Sequence, residues 1–291
     1  MHVLIIGCGY LGRRAAQLWT EAGSSVTALT RSADNATELR TRGVTPVMGD
    51  VMDRKSLTAL PSADVLLYAV GHDRTAENSK RDVYVDGLRI VLNEITPRTR
   101  RLIYISSVSV YGQSDGTWVD ESSPCEPTSE GGRICLDAEA VFRNQTAESH
   151  PGRSHILRLA GIYGPGRLIA RTEQLRNRQP LSGDPEAWLN LIHVEDAARC
   201  AVACASAATA ANLYVVSDDR PVTRREFYSA VCRLIGAPPP EFDPEAQGRQ
   251  RSSGLNKRCC STRMKSDLLP ELNYPEISHG LSHAIAGQST R

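Results

Sequence analysis

The chain has 291 residues and a mass of 31.7 kDa, enough for one large domain or two modest ones. Its 34 basic and 33 acidic residues leave a formal net charge of +1, which excludes a strong electrostatic attraction to nucleic acid or to a membrane surface. No apolar run approaches the ~18 residues of a membrane span, and the first residues lack the basic lead and cleavage site of a signal peptide. Eight cysteines without a C-x-x-C pair indicate reduced thiols. We therefore expect a cytoplasmic protein with no nucleic-acid or membrane partner.

Short apolar runs and helical patterns alternate along the first 160 residues. The pattern predicts strands at 3–6, 25–29, 44–47, 64–69, 102–106 and 155–159, separated by helices at 11–19, 36–42, 54–60, 79–95 and 134–147. Such regular alternation is typical of an α/β fold, a doubly wound parallel sheet with helices on both faces. After Gly161 the alternation ends, with one strand predicted at 212–216 and one helix at 223–235. We expect residues 1–160 to form the sheet domain. Residues 161–291 are expected to form a smaller mixed domain over its C-terminal edge, with 189–217 partly returning to the sheet.

A glycine-rich segment, Gly7-Cys8-Gly9-Tyr10-Leu11-Gly12, lies directly between the first strand and the first helix. This G-x-G-x-x-G spacing in a strand–turn–helix context is typical of dinucleotide binding. Gly7 permits the tight turn, Gly9 lets a pyrophosphate approach the backbone, and Gly12 lets the helix pack on the strand. The first helical turn, which includes Tyr10 and Leu11, then offers N–H groups to the phosphates. The alternative is a glycine-rich turn without a ligand.

The end of the second strand indicates which dinucleotide is bound. An NAD-binding protein usually places Asp or Glu there against the ribose 2′-hydroxyl, but this sequence reads Thr30-Arg31-Ser32. A guanidinium can bind a 2′-phosphate that a carboxylate would repel, so Arg31 favours NADP over NAD. The alternative is that Arg31 points into solvent and NAD is held by other groups. Further cofactor contacts are expected at the ends of neighbouring strands, from Asp50, Val51, Ala69 and Gly71, although Asp50 could equally be a plain turn aspartate.

Several blocks together resemble the extended short-chain dehydrogenase/reductases, the NAD-dependent epimerase/dehydratase family. The matching blocks are IIGCGYLG at 5–12, GDVMD at 49–53, YISSVSVYG at 104–112, LRLAGIYGPGR at 157–167, NLIHVEDAARC at 190–200 and NLYVVSDDRPVTRREF at 212–227. The resemblance implies a Rossmann-type domain, a nicotinamide cofactor and a substrate cleft under the C-terminal domain. It also implies a small-molecule ligand, which in family members is often a nucleotide sugar. Tyr163 and Arg167 lie in blocks that border that cleft, and Arg167 is a candidate ligand for a substrate phosphate.

Family members catalyse proton transfer with a Ser, a Tyr and a Lys four residues after the Tyr. The serine carries over to Ser107, four residues before the tyrosine of the VYG block. The pair does not, because alignment of the window SEGGRICLDAEA places Gly131 at the tyrosine and Cys135 at the lysine. A phenol is a poor base at neutral pH without a nearby cation, so the usual proton relay cannot form here.

Three interpretations of the missing pair stay open. The chain is a dinucleotide-binding protein that has lost redox catalysis and acts as a sensor or interaction protein, or it is an atypical NAD(P)-dependent epimerase, dehydratase or reductase that uses other groups. The third is an unrelated use of the fold. Substitutes for the pair are Tyr111 as the acid/base, Cys135 as a thiol and Arg133 as the cation. Each of these side chains also has an ordinary packing or surface interpretation.

Two further expectations concern metals and assembly. His193 could be a catalytic histidine, but it lies in a block that resembles a structural segment of the family. Ser217, Asp218 and Asp219 carry oxygen-bearing side chains but have no His or Cys partner and no ligand spacing, so no metal site is expected. The resemblance implies a homodimer through a four-helix interface of the helices near 79–96 and 133–147. Apolar positions that could face this interface, or equally the core, are Val83, Gly87, Ile90, Val141 and Phe142.

Overall fold

A computed structural model describes residues 1–73, 75–207, 211–243 and 255–286. The strands are β1 (His2–Ile6), β2 (Ser25–Thr30), β3 (Thr45–Met48), β4 (Ala63–Tyr68), β5 (Thr99–Ser107), β6 (Trp118–Val119), β7 (Ser154–Leu159), β8 (Gly161–Tyr163), β9 (Trp188–Leu189), β10 (Leu191–His193), β11 (Leu213–Val216), β12 (Val222–Thr223) and β13 (Arg258–Cys259). The α-helices are α1 (Tyr10–Glu21), α2 (Ala33–Thr41), α3 (Arg54–Leu57), α4 (Gly87–Ile95), α5 (Glu130–Thr146), α6 (Ile169–Arg176), α7 (Val194–Ala203), α8 (Arg224–Ile235), α9 (Thr262–Asp267) and α10 (Ile277–Ala286).

Seven of these strands form one parallel sheet in the order β3-β2-β1-β4-β5-β7-β11. The chain builds outward from β1 in both directions, so the strand order reverses between β1 and β4. In sheets of this kind ligands bind in the crevice outside the carboxyl ends of the strands at the reversal point. The doubly wound Rossmann-type sheet predicted from the sequence is confirmed.

The sheet is buried on both faces because alternate residues of each strand face opposite ways. In β1, Val3 and Ile5 join the apolar cluster under α1 and α7, whereas Leu4 and Ile6 join the cluster under α4 and α5. This explains why the strands are almost continuous apolar runs.

The predicted helix over 79–95 differs from the observed one at its start. Asp82–Asp86 forms a π-helical turn, and α4 begins only at Gly87. An added Cβ at Gly87 would lie 2.8 Å from Cγ2 of Val51, so a glycine is needed where the helix crosses the loop after β3. π-Helical turns are uncommon and often occur at functional sites.

The second half of the chain holds both predicted and unpredicted elements. β11 lies within the predicted strand 212–216 and joins the sheet edge beside β7, whereas α7, which covers the same face of the sheet as α1, was not predicted. Two-stranded pairings β8–β10, β9–β12 and β6–β13 lie outside the sheet, and β8 begins just past the end of β7. Among the described residues, no helix is both long enough and apolar enough to span a membrane.

Candidate dinucleotide and catalytic cavity

A cavity of about 620 Å³ opens at the carboxyl ends of β1, β2, β4 and β5. Of the predicted cofactor residues, nine line it: Gly7, Gly9, Tyr10, Leu11, Arg31, Asp50, Val51, Ala69 and Gly71. Gly12, the tenth, lies behind the loop, where an added Cβ would come within 2.6 Å of the carbonyl oxygen of Gly7. The structure therefore places the predicted set around one ligand-sized space.

The glycine loop has the form that a pyrophosphate requires. Gly7 has a φ of +92°, and an added Cβ would lie 2.5 Å from the backbone nitrogen of Val70, so only glycine fits. At Gly9 an added Cβ would meet nothing within 4 Å, which leaves open space beside the backbone. Gly9 also caps α1 without a side-chain hydrogen bond, so the first-turn N–H groups are left for a ligand. The residues present fit a dinucleotide.

At the end of β2, Arg31 lines the cavity with its side chain 49% exposed. Its Nη1 lies 3.7 Å from Oδ2 of Asp50, and its Nη2 lies 3.5 Å from Oδ2 of Asp73. Nearby, Asn35 at the start of α2 accepts a hydrogen bond from Arg13 at 2.5 Å. The guanidinium of Arg31 therefore faces two carboxylates: Asp50, a predicted cofactor residue, and Asp73, which the sequence did not single out.

Ser107 and Tyr111 are separated by the structure. Ser107 lines the cavity, and its Oγ accepts the backbone N–H of Ser109 at 3.1 Å. Tyr111 is not among the lining residues: its buried hydroxyl donates to the carbonyl oxygen of Asp120 at 2.7 Å and accepts from Arg158 at 2.8 Å. Burial raises the pKa of Tyr111 well above its usual range. The prediction of Tyr111 as an acid/base is therefore corrected, since its hydroxyl is committed to a structural network.

That network contains a buried ion pair that the sequence analysis missed. Arg158 on β7 donates from Nε and Nη2 to the two carboxylate oxygens of Glu139 on α5, at 2.9 and 2.7 Å. Ser106, next to Ser107, donates to the same carboxylate at 2.7 Å. A charged residue inside the apolar run LRL was the available signal, because a buried charge needs a partner. Through the hydrogen bond of Ser106, the network holds the end of β5, next to the cavity-lining Ser107.

Gly131 and Cys135 both lie next to the cavity, and a lysine from another segment lies against them. Nζ of Lys80 is 3.4 Å from the carbonyl oxygen of Gly131 and would be 2.9 Å from an added Cβ there. Lys80, Tyr84 and Cys135 line the cavity together with Ser107. Arg133, the predicted substitute cation, points elsewhere and donates to the carbonyl oxygen of Thr128 at 3.2 Å.

The two predicted substrate residues lie at different depths. Arg167 lines the cavity and is exposed, with its guanidinium 4.3 Å from the centroid of the Tyr10 ring. Tyr163 is buried behind the wall and does not line the cavity; an added Cβ at Gly280 would lie 2.2 Å from its hydroxyl. Arg167 thus stays a candidate anion ligand, and Tyr163 has a packing role in the apolar cluster of the small sheets.

One group among the described residues has the composition of a metal site: His193, Glu195 and His283, whose ligand atoms lie within 4.8 Å of one another. Burial lowers the pKa of His193 to about 4, so its ring is neutral. Its Nδ1 accepts the backbone N–H of Glu195, which assigns the ring proton to Nε2, 3.3 Å from Nδ1 of His283. The nitrogen that faces the cluster therefore carries a proton, and the geometry is that of a hydrogen-bonded helix start.

Comparisons with known proteins identify the same family that the sequence blocks resemble. The model of the NAD dependent epimerase/dehydratase family matches residues 3–217. The chain belongs to this family. Protein YeeZ of Escherichia coli K12 is 30% identical over 94% of this chain and 96% of its own length. A 3-diazoavenalumate denitrifying reductase of a Streptomyces species is 26% identical over 84% of this chain and 85% of its own. The UDP-glucose 4-epimerase of Bifidobacterium longum, solved with NAD+ and UDP, shares the fold: 17% identity, a TM-score of 0.80, and coverage of 100% of this chain and 99% of that one.

Proposed function

We propose that this chain is an NAD(P)-dependent reductase that acts on a small carbonyl-type substrate with an anionic group. The observation that carries the proposal is the single cavity that joins the dinucleotide loop to Ser107 and to two further proton-bearing side chains, Lys80 and Tyr84. A nicotinamide bound there would supply the hydride for reduction. The similarity to the Streptomyces reductase along most of both chains supports reduction as the reaction type.

Within this proposal the loop of Gly7 and Gly9, with the first turn of α1, holds the pyrophosphate. Arg31 binds the 2′-phosphate of NADP, because the end of β2 has no acid to repel it. The carboxylates of Asp50 and Asp73 lie 3.7 and 3.5 Å from the Arg31 guanidinium, and such exposed ion pairs contribute little to stability. A doubly charged phosphate can replace them as the partner of Arg31, so NADP is preferred over NAD.

Arg167 places a positive charge at the end of the cavity where the substrate is proposed to bind. Its guanidinium stands on the rim of the cavity, stacked on Tyr10, where a substrate carboxylate or phosphate would meet it. Residues 161–291 then form the substrate-cleft domain, apart from the segment that returns to the sheet as α7 and β11. A nucleotide sugar, the kind of ligand that the Bifidobacterium epimerase takes, is the competing substrate class.

We also propose a cytoplasmic homodimer that forms through α4 and α5. The eight cysteines are unpaired, as expected in a reducing compartment. Val83, Gly87 and Phe142 are buried, whereas Ile90 and Val141 are half-buried and pack against the edge of the same apolar cluster, so part of each side chain is left for a second copy to cover. Sedimentation tests the assembly: a monomer near 31.7 kDa at micromolar concentration contradicts it.

The reductase proposal is tested by calorimetry with NADP and NAD, followed by NADPH oxidation with 4-carboxybenzaldehyde as the carbonyl probe, since this aldehyde carries the anionic group that the proposal requires. We expect tighter binding of NADP and oxidation of NADPH above the rate without protein. The second candidate, a dinucleotide sensor, is favoured by Gly131 and Cys135 in place of the family's pair. Binding of NADP without any oxidation of NADPH would support the sensor and refute the reductase.

A further inference from the structure

Lys80 lies where the family's missing pair leaves room. It precedes the π-helical turn Asp82–Asp86, on the segment that leads from β4 to α4. Its ammonium lies 3.4 Å from the carbonyl oxygen of Gly131, the position that the family resemblance assigns to the catalytic tyrosine. An added Cβ at Gly131 would lie 2.9 Å from Nζ, closer than carbon side-chain atoms normally approach. The glycine therefore makes space for the lysine, and a tyrosine there would displace it.

Tyr84 holds this lysine in place. The ammonium lies 5.0 Å from the centroid of the Tyr84 ring, within the range of a cation–π contact. The Tyr84 hydroxyl accepts the backbone N–H of His72 at 3.2 Å, which anchors the ring to the loop after β4. The π-helical turn that contains Tyr84 turns the ring toward the cavity, which both side chains line.

The charge of Lys80 is available to a ligand. Among the described residues no carboxylate forms an ion pair with it, and its nearest partners are a carbonyl oxygen and an aromatic face. Cys135, the other proton-bearing group at this end, is 5% exposed, and burial raises the pKa of its thiol. The thiol brings no charge to the cavity, whereas the Lys80 ammonium brings a positive charge and carries protons that it can donate.

We propose that Lys80 is the proton donor of the reduction and that Tyr84 is its positioning residue. The inference rests on the proposed reductase function. Reduction adds a hydride from the cofactor to the carbonyl carbon, and the C=O electron pair becomes a lone pair on oxygen. That oxygen takes a proton from Nζ of Lys80, leaving a neutral amine that regains its proton from water. Ser107, on the same cavity, can donate a hydrogen bond to the substrate oxygen.

The chain has only four lysines, at 55, 80, 257 and 265, which permits a direct readout without turnover. Lysine labelled with 13C at Cε gives at most four side-chain NMR signals, and Lys80→Arg identifies one of them. Titration with NADP should shift the Lys80 signal and leave that of exposed Lys55 unchanged. If NADP binds by calorimetry and the Lys80 signal does not move, the inference is overturned and the reductase proposal is untouched.

Turnover provides the second readout. With 4-carboxybenzaldehyde and NADPH, Lys80→Met should lower kcat by about 10²-fold or more and leave the Kd for NADP unchanged, since general acid catalysis contributes about 10²–10⁴-fold. Lys80→Arg keeps the charge but cannot release a proton, so it should be as slow as Lys80→Met. Lys55→Met, the matched control, should react like the native protein.

The outcomes separate the two claims. An active native protein whose rate survives in Lys80→Met, or is restored in Lys80→Arg, overturns proton donation by Lys80 alone. A native protein that binds NADP but does not oxidise NADPH refutes the reductase function and the donor role with it. For the positioning role, Tyr84→Phe should keep most of the rate because the ring remains, whereas Tyr84→Leu should lower kcat with little change in KM. Equal rates in the two Tyr84 variants would contradict that role.

Discussion

Replacement of Arg158 by methionine tests the network under the cavity. Arg158 is 2% exposed and gives three hydrogen bonds, two to Glu139 and one to the hydroxyl of Tyr111. Methionine keeps much of the side-chain volume but removes the charge and every donor. The carboxylate of Glu139, itself fully buried, then keeps only Ser106 and Arg143 as partners.

The expected cost follows from that loss. Removal of one partner of a buried ion pair costs about 3–5 kcal/mol, because the remaining charge stays out of water. The two partners left to Glu139 place this case at about 3 kcal/mol, the lower end of that range. At about 2–4 °C per kcal/mol for chains somewhat shorter than this one, the Tm should fall by roughly 6–12 °C.

Thermal and denaturant unfolding measure this change, and Arg143→Met is the matched control. Arg143 donates to the same carboxylate at 2.8 Å, but its side chain is 40% exposed, so its loss should cost no more than about 1 kcal/mol. Similar destabilisation by the two variants would show that burial does not set the strength of the network, and the reasoning would fail.

Three further predictions follow from the cavity and the core. Arg31→Asp should lower the affinity for NADP relative to NAD by about tenfold or more, since a charge-assisted contact is worth about 1.5–3 kcal/mol. Calorimetry measures both affinities, and an unchanged preference for NADP would exclude Arg31 as the phosphate ligand. Burial raises the pKa of Asp218 to about 8, so the free energy of unfolding should fall as pH rises from about 4 to 8. Asp218→Asn should therefore be more stable than the native protein at pH 8 by a few kcal/mol. Denaturant titrations of both proteins at pH 5 and 8 measure the difference. An identical pH dependence in both proteins would contradict that assignment. In the Lys80→Ala background, the added changes Gly131→Tyr and Cys135→Lys should raise the rate of NADPH oxidation by about tenfold or more, because the family's Tyr and Lys would then have room. No gain in rate would contradict the assignment of position 131 to the family's tyrosine.

The sheet could be predicted from the sequence because its signals are local. The apolar run of β1 and the glycines at 7, 9 and 12 are adjacent in the chain, and their spacing specifies a strand, a turn and a helix start. α7 was missed because its apolar face is built of alanine and cysteine in a region without regular alternation. α7 covers the same face of the sheet as α1, which lies near the start of the chain, and no local pattern specifies that contact.

The candidate catalytic end shows the same limit. Ser107 was found because it lies in a recognisable block, but Lys80 lies 51 residues before Gly131, and only the fold brings the two together. The absence of a side chain at position 131 was visible in the sequence, but the side chain that uses the space was not. Tyr111 illustrates the opposite error, because a motif tyrosine near Ser107 in sequence is turned away from the cavity by Arg158 and Asp120.

Transfer of deuterium tests the central claim, that this family member reduces a substrate with the dinucleotide held at the cavity. NADPH that carries deuterium at both C4 positions of the nicotinamide would be incubated with 4-carboxybenzaldehyde, an anionic aldehyde, and the native protein, and the alcohol product analysed by mass spectrometry after quenching. We predict deuterium in the product on the reduced carbon, with incorporation reduced in step with the rate in Lys80→Met. A product without enzyme-dependent deuterium, from protein that binds NADPH, would contradict the account.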